Sequence, residues 1–270
     1  MRKSIPTKDK AKITSKVPER DASIIGSFAK GLSVIECFDR HSPRLSIADV
    51  SQKTGLERAT ARRFLLTLVK FGYAEFDGKF FTLTPRALRL GYAYLSSTPM
   101  PAIIQRVIEP LSVEIGESLS GSTLDGDDIV YIARASHRHV MSISLTVGSR
   151  LPAYCTSMGR VLLASLPPEE ARQRLKTADR RKITPFTMTG LGEIMDNLAL
   201  VRSYGYAMSD QELELGLISI AVPVMNASGR VVASINCGSH ATRLSEAEMV
   251  EKVLPKLKAA AQDLKAMLVS

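Results

Sequence analysis

At 270 residues, with 45% hydrophobic and 23% charged side chains, the chain is long for one core and comfortable for two soluble domains. No apolar run approaches the roughly 18–20 residues that span a bilayer, and the basic N-terminus lacks the apolar stretch of a secretory signal. Residues 1–98 hold 18 of the 36 Lys+Arg but 9 of the 27 Asp+Glu, so that third carries the whole excess of +9 and the remainder is neutral.

Residues 1–22, rich in Lys, Ser, Thr and Pro, read as a disordered basic tail. A first helix is predicted near Ser27–Arg40, with Phe28, Leu32, Ile35 and Phe38 on one stripe. Ser46 then stands as an N-cap with Asp49 three residues on, a capping-box variant, and Leu45 and Val50 occupy staple positions. Gly55 ends that helix. The next helix, about Glu57–Lys70, buries Ala61, Leu65 and Leu68 and leaves Arg58, Thr60, Arg62 and Arg63 outward in its first two turns. Tyr73–Phe76 and Lys79–Leu83 alternate about Asp77-Gly78, which predicts a hairpin with a two-residue loop. This order is a winged helix-turn-helix over 23–83, and its basic charge points to double-stranded DNA. The candidate DNA contacts are Ser46, Thr54, Arg58, Thr60, Arg62, Arg63 and Lys79, the last placed on the wing to meet a phosphate.

Thr84-Pro85 starts a linker helix over 84–98 whose apolar face suits packing across a dimer. From 99 to 270 the pattern changes to short strands and helices. Helices are predicted at Ile103–Glu117, Thr156–Ser165, Pro168–Lys176 and Leu191–Tyr204, and from Ser245 to Leu268. Strands are predicted at Ser118–Leu124, Ile129–Ala133, Val140–Val147, Ile218–Met225 and Val231–Cys237. The expected class is α+β: a winged reader, a linker helix, and an antiparallel-sheet sensor of the GAF or PAS kind with a ligand between sheet and covering loops.

Three features have rival explanations. Cys155 opens a predicted helix and invites a nucleophile reading, but no histidine lies in a catalytic motif, so a pocket-lining cysteine fits better. With Cys37 and Cys237 it forms no CxxC and no disulfide framework, which makes a reducing cytoplasm the simplest setting. His137 and His139 form an H-x-H without a third ligand, so no metal site and no cofactor is expected. Tyr206–Gly216 carries three acids in five residues, readable as a solvated loop or as a cluster that orients a ligand hydroxyl or a cation.

Longer stretches resemble one family. GLERATARRFLLTLVKFGYAE, LTPRALRLGYAYL, GSRLPAYCTSMGRVLLA and DQELELGLISIAVPVMNASGRVVASINC are similar to IclR-family transcriptional regulators, named for the isocitrate lyase regulator, over about residues 23–268. PAYCTSMGR and DQELELG resemble the subgroup that controls aromatic-acid catabolism, including protocatechuate, 4-hydroxybenzoate and β-ketoadipate regulators. The resemblance implies a non-enzymatic homodimer or tetramer that binds palindromic promoter DNA and a small carboxylate effector. Carried onto this chain, the family pocket points to Thr156, Ser157, Met158, Asp210, Ser219 and Asn236, with Tyr131, Leu145 and Leu217 as walls. Arg134 and Arg160 are the nearest cations for a carboxylate, and Asp210 is the expected acceptor for an effector hydroxyl. Alternatives are a non-aromatic carboxylate, an architectural DNA-binding protein with no ligand, and an acyl-transfer enzyme using Cys155. RNA binding lacks an aromatic platform.

Overall fold

A computed structural model describes residues 23–39, 41–137 and 145–268. The predicted tail at 1–22, His139 and residues 140–144 of a predicted strand lie outside them. The chain divides into two compact units, one ending at Tyr94 and the other beginning at Leu95.

The first unit holds α1 (Gly26–Glu36), α2 (Ile47–Thr54) and α3 (Arg58–Lys70), then β1 (Ala74–Phe76) and β2 (Phe81–Leu83). α1 stops at Glu36, short of the predicted Arg40, with Cys37 as its cap. The Ser46 hydroxyl accepts from the Asp49 amide and the Asp49 carboxylate accepts from the Ser46 amide, a full capping box. Gly55 closes α2 at a φ of 73°, a left-handed setting that glycine takes without steric cost. Val34, Leu45, Val50, Ala61, Leu65 and Phe81 form the core.

The hairpin departs from expectation. Phe76 pairs with Phe81, so four residues, Asp77–Phe80, span the turn rather than two, and both strands are shorter than predicted. The cause is the Asp77 side chain. Its carboxylate accepts from the amides of Lys79 at 2.9 Å and Phe80 at 2.8 Å and pairs with Arg44. A side chain that satisfies two turn amides stabilises a longer loop than backbone pairing alone selects. Thr84 then caps a 3₁₀ turn at Pro85–Ala87 that leads into α4 (Leu88–Ser97), a helix with no buried residue.

In the second unit α5 (Met100–Ile115) starts ahead of the predicted Ile103 and ends ahead of the predicted Glu117, the end set by Gly116, which turns left-handed there. β3 (Ser118–Asp125), β4 (Asp128–Ala135), β5 (Arg150–Pro152), β6 (Ala207–Asp210), β7 (Leu217–Met225) and β8 (Val231–His240) form one antiparallel sheet in the order β5-β4-β3-β8-β7-β6. β5 and β6 have no counterpart in the predicted elements, while Leu145–Val147 form no strand. α5 packs on one face with α9 (Glu246–Glu248), which passes through a π-helical stretch at Met249–Val253 into α10 (Leu254–Met267). α6 (Ser157–Ala164), α7 (Pro168–Thr177) and α8 (Leu191–Tyr204) build the core on the other face. Cys155 belongs to a 3₁₀ turn, Ala153–Cys155, ahead of the α6 cap Thr156, and so does not open the helix.

Candidate functional site

In the first unit, Arg58, Ala59 and Arg62 of α3 line a groove with Ser46, Ile47 and Ala48 at the start of α2 and with Gly78 and Lys79 of the hairpin turn. Arg58, Arg62 and Lys79 are exposed around it, three cations on one concave face. Thr60 and Arg63 lie elsewhere, in a second groove with Ser27 and Lys30 of α1 and with Thr67. The predicted contacts on α3 therefore line two separate grooves. Thr54 serves the turn itself: its hydroxyl donates to the Val50 carbonyl at 2.7 Å and accepts from the Leu56 amide at 3.3 Å. Ser46 is similarly engaged in its cap. Arg44, absent from the predicted set, stands over the Phe80 ring at 5.1 Å beside Lys79.

In the second unit a narrow cavity of about 30 Å³ opens between the sheet and the start of α6. Its floor is a polar strip of Ser118, Ser120, Asn236, Gly238 and Ser219. Leu145, Leu151, Met158, Leu213 and Leu217 supply apolar walls, and Tyr131, Cys155, Thr156 and Ser157 complete the lining. Eight of the nine residues named from sequence thus meet at one cavity. Asp210 does not. On β6 it is Ser209 that lines the cavity, and strand alternation turns Asp210 to the opposite face, opposite Ile218 in the other core. The expected hydroxyl acceptor is therefore misplaced.

Arg160 is misplaced too. Its guanidinium forms a bidentate pair with Glu212 at 2.6 Å and donates to the Tyr154 carbonyl at 3.1 Å. Both charges are nearly sealed, with 2% and 8% of the side-chain surface exposed. Glu212 also accepts from the Met188 amide at 2.9 Å. This is a brace behind the cavity with no free donor turned toward it.

Arg134 is the cation that reaches the cavity. Nη1 donates to the Ser120 hydroxyl at 2.9 Å, while Nε is buried and has no hydrogen-bond partner among the described residues. Among the described residues no carboxylate pairs with it. Burial pulls its guanidinium below the ordinary arginine value, the signature of a desolvated cation. Across the floor the Asn236 Oδ1 is likewise buried without a partner. Between them the cavity presents one unmet donor and one unmet acceptor.

A β-bulge makes this lining. The register passes from Gly121 opposite Ala133 to Ser122 opposite Tyr131, leaving Ile132 as an extra residue. Residues three apart on a regular strand face opposite sides. The bulge turns Tyr131 and Arg134 to the same side. Single-residue spacing in sequence carries no sign of it.

Other chemistry is closed. Burial pushes the Cys155 thiol up to about 12 and the Cys237 thiol up to about 12, so neither is a nucleophile at neutral pH. Burial likewise raises the Tyr131 phenol to about 12. Among the described residues no cluster of His, Cys, Asp and Glu is arranged to hold a metal, and no helix is long and apolar enough to cross a membrane.

Comparison with known proteins sets this geometry in a family. Residues 27–78 match the model for the IclR helix-turn-helix domain, and residues 92–266 match that for the bacterial transcriptional regulator IclR C-terminal domain. The chain is 44% identical over 245 residues to the Pca regulon regulatory protein of Pseudomonas putida, covering 90% of this chain and 84% of that protein. It is 36% identical over 251 residues to the p-hydroxybenzoate hydroxylase transcriptional activator of Acinetobacter baylyi, covering 91% and 93%. A crystal structure of the PobR inducer-binding domain, a double mutant from Acinetobacter in complex with 3-hydroxybenzoic acid, superposes with a TM-score of 0.58 at 33% identity, covering 61% of this chain and 97% of that one.

Proposed function

The chain belongs to the IclR family of bacterial transcriptional regulators, and from that premise we propose that its C-terminal unit senses a small hydroxylated aromatic carboxylate. It is a DNA-binding regulator with a ligand-binding domain, not an enzyme.

The observation that carries the ligand reading is the buried, unpaired Nε–H of Arg134. A desolvated guanidinium gains most from a carboxylate, since charge-assisted pairs are about twice as strong as neutral hydrogen bonds. The unmet Asn236 Oδ1 wants a donor, which a hydroxyl supplies. Asn236 thus takes the part assigned from sequence to Asp210. An aromatic ring between the two groups would contact Leu145, Met158, Leu213 and Leu217. A volume of about 30 Å³ holds roughly two waters, so a ring enters only if these walls part. That requirement gives the ligand a conformation to select. The two relatives named for Pca and p-hydroxybenzoate control, and the relative crystallised with 3-hydroxybenzoate, support this class.

In the reader, we assign Arg58, Arg62 and Lys79 to the DNA face, with Arg63 and Thr60 on its flank. The α4 side chains Leu88, Tyr92, Tyr94 and Leu95 are exposed, as are Ile25 and Phe28 at the first helix. Such exposed apolar surface on α4 suits burial against a second copy, and a homodimer presents two readers to a palindrome. Tetramers are built by repeating such pairs. The setting is the cytoplasm, where promoter DNA lies.

Isothermal titration of the full-length protein with 4-hydroxybenzoate, protocatechuate and β-ketoadipate tests the ligand class. Saturable heat is expected with a hydroxybenzoate, and it should vanish in Arg134→Gln. Heat from none of the three, or full affinity in Arg134→Gln, contradicts the assignment.

A further inference from the structure

Arg134 faces the cavity with its side chain while its backbone is held from outside. β5 pairs with β4 only over Asp128–Val130, and Tyr131 closes on Gly148 and Ser149. Among the described residues no strand neighbours the outer edge of β4 at Arg134. Gln105 of α5 takes its place. The Arg134 amide donates to Gln105 Oε1 at 2.8 Å, and Gln105 Nε2 donates to the Arg134 carbonyl at 3.1 Å. The same Nε2 donates to Glu109 Oε1 at 2.6 Å, one turn further along the helix. One carboxamide thus makes both contacts that a paired residue on an adjacent strand would exchange.

α5 is seated at the same point by the preceding residue, Ile104. A Cβ on Gly121 would lie 2.7 Å from Ile104 Cγ2, so the missing side chain lets Ile104 press onto β3. Gly121 adjoins Ser120, whose hydroxyl accepts from Arg134. On one side of the sheet Ser120 and Arg134 meet the cavity; on the other Ile104 and Gln105 fix α5. α5 begins at Met100, and α4, the linker helix, ends at Ser97.

We propose that Gln105 is a positioning residue of the effector response: it locks the backbone of Arg134 to α5, so that a carboxylate docking on Arg134 displaces the helix that continues from the linker. The proposal rests on Arg134 as the carboxylate anchor. Its physical basis is that the clamp has two opposed bonds. A shift of β4 of more than a few tenths of an ångström either breaks one or carries α5 with it, because a contact stretched to about 3.6 Å is no longer a hydrogen bond. The side chain must both accept and donate. Leucine keeps the volume and does neither. Glutamate accepts from the Arg134 amide but cannot donate to its carbonyl, and it sets a second carboxylate against Glu109.

The test uses full-length protein and a labelled DNA fragment from the promoter of its own gene. Operator Kd is measured by anisotropy with and without a saturating hydroxybenzoate, 4-hydroxybenzoate or protocatechuate, whichever gives heat with wild type. Effector Kd is measured by calorimetry and folding by thermal melting. Wild type should show a ratio of operator affinities within the usual allosteric range of about 5–150-fold, and Gln105→Leu should cut it below about twofold while still binding the effector saturably. Gln105→Glu should fall between, and it carries the test if the leucine variant does not fold. A wild-type ratio in a saturated Gln105→Leu protein overturns the proposal. Loss of effector binding by a folded Gln105→Leu protein also overturns it, since Gln105 would then only build the pocket. Arg134→Gln separates the premise: full effector affinity there shows that the anchor is wrong, independently of how Gln105 behaves.

Discussion

Arg160 and Glu212 bury opposite charges close in sequence to residues that line the cavity, and the pair is bidentate at 2.6 Å. Leaving one such charge alone in the interior costs about 3–5 kcal/mol, whereas replacing both by apolar groups is often neutral. Glu212→Gln should therefore destabilise the second unit by about that amount in urea titration, and Arg160→Met with Glu212→Leu should recover most of it. A Glu212→Gln protein within about 0.5 kcal/mol of wild type would mean that the pair is solvated. Glu212 precedes Leu213, which lines the cavity, and Arg160 follows Met158, which lines it too. The brace therefore holds two walls in register. Gly159, between Met158 and Arg160, has no room for a side chain, since a Cβ would lie 2.2 Å from the Ala153 carbonyl oxygen. That close approach lets α6 begin against the turn that carries Cys155.

At the scale of elements the hairpin turn offers the clearest pH dependence. Backbone hydrogen bonds from Phe80 and Lys79, with Arg44 beside them, hold the Asp77 carboxyl at about 2. The unfolded value is about 3.9. A depressed carboxylate stabilises the fold fully above the unfolded value and loses that contribution as pH falls through the folded one. Melting of the reader should thus soften between about pH 4 and 2, and Asp77→Asn should flatten that part of the profile. An identical acid profile in the variant would show that the carboxylate does not support the turn. The same residue marks how far the sequence could be read. Ser46 and Asp49 announce a cap that the fold uses, because capping is local and its signal lies within four residues. Asp77-Gly78 announces a hairpin but not its loop length, which the Asp77 carboxylate sets by accepting from two turn amides, with Arg44, 33 residues away, paired beside them. β5 and β6 span three and four residues, too short to show alternation. The cavity-lining residues of α6 came from the family resemblance, whereas Arg134 and Asp210 had to be placed by strand pairing. A bulge at Ile132 brings the first into the cavity, and plain alternation removes the second.

At the scale of the whole molecule the excess charge and the cavity belong to different units. The first carries exposed arginines on α3. The second carries a desolvated guanidinium and an unmet acceptor in a space too small for a ring at rest. An effector couples them only to the extent that it binds one arrangement better than another. The clamp on Arg134 is one place where we propose such a preference is built. The most direct test is the operator affinity of the full-length protein, measured by anisotropy while 4-hydroxybenzoate is raised to saturation at fixed salt. The account predicts that the apparent Kd moves by at least about fivefold and that Arg134→Gln abolishes the movement. Saturable binding of the acid with an unmoved operator Kd would contradict it.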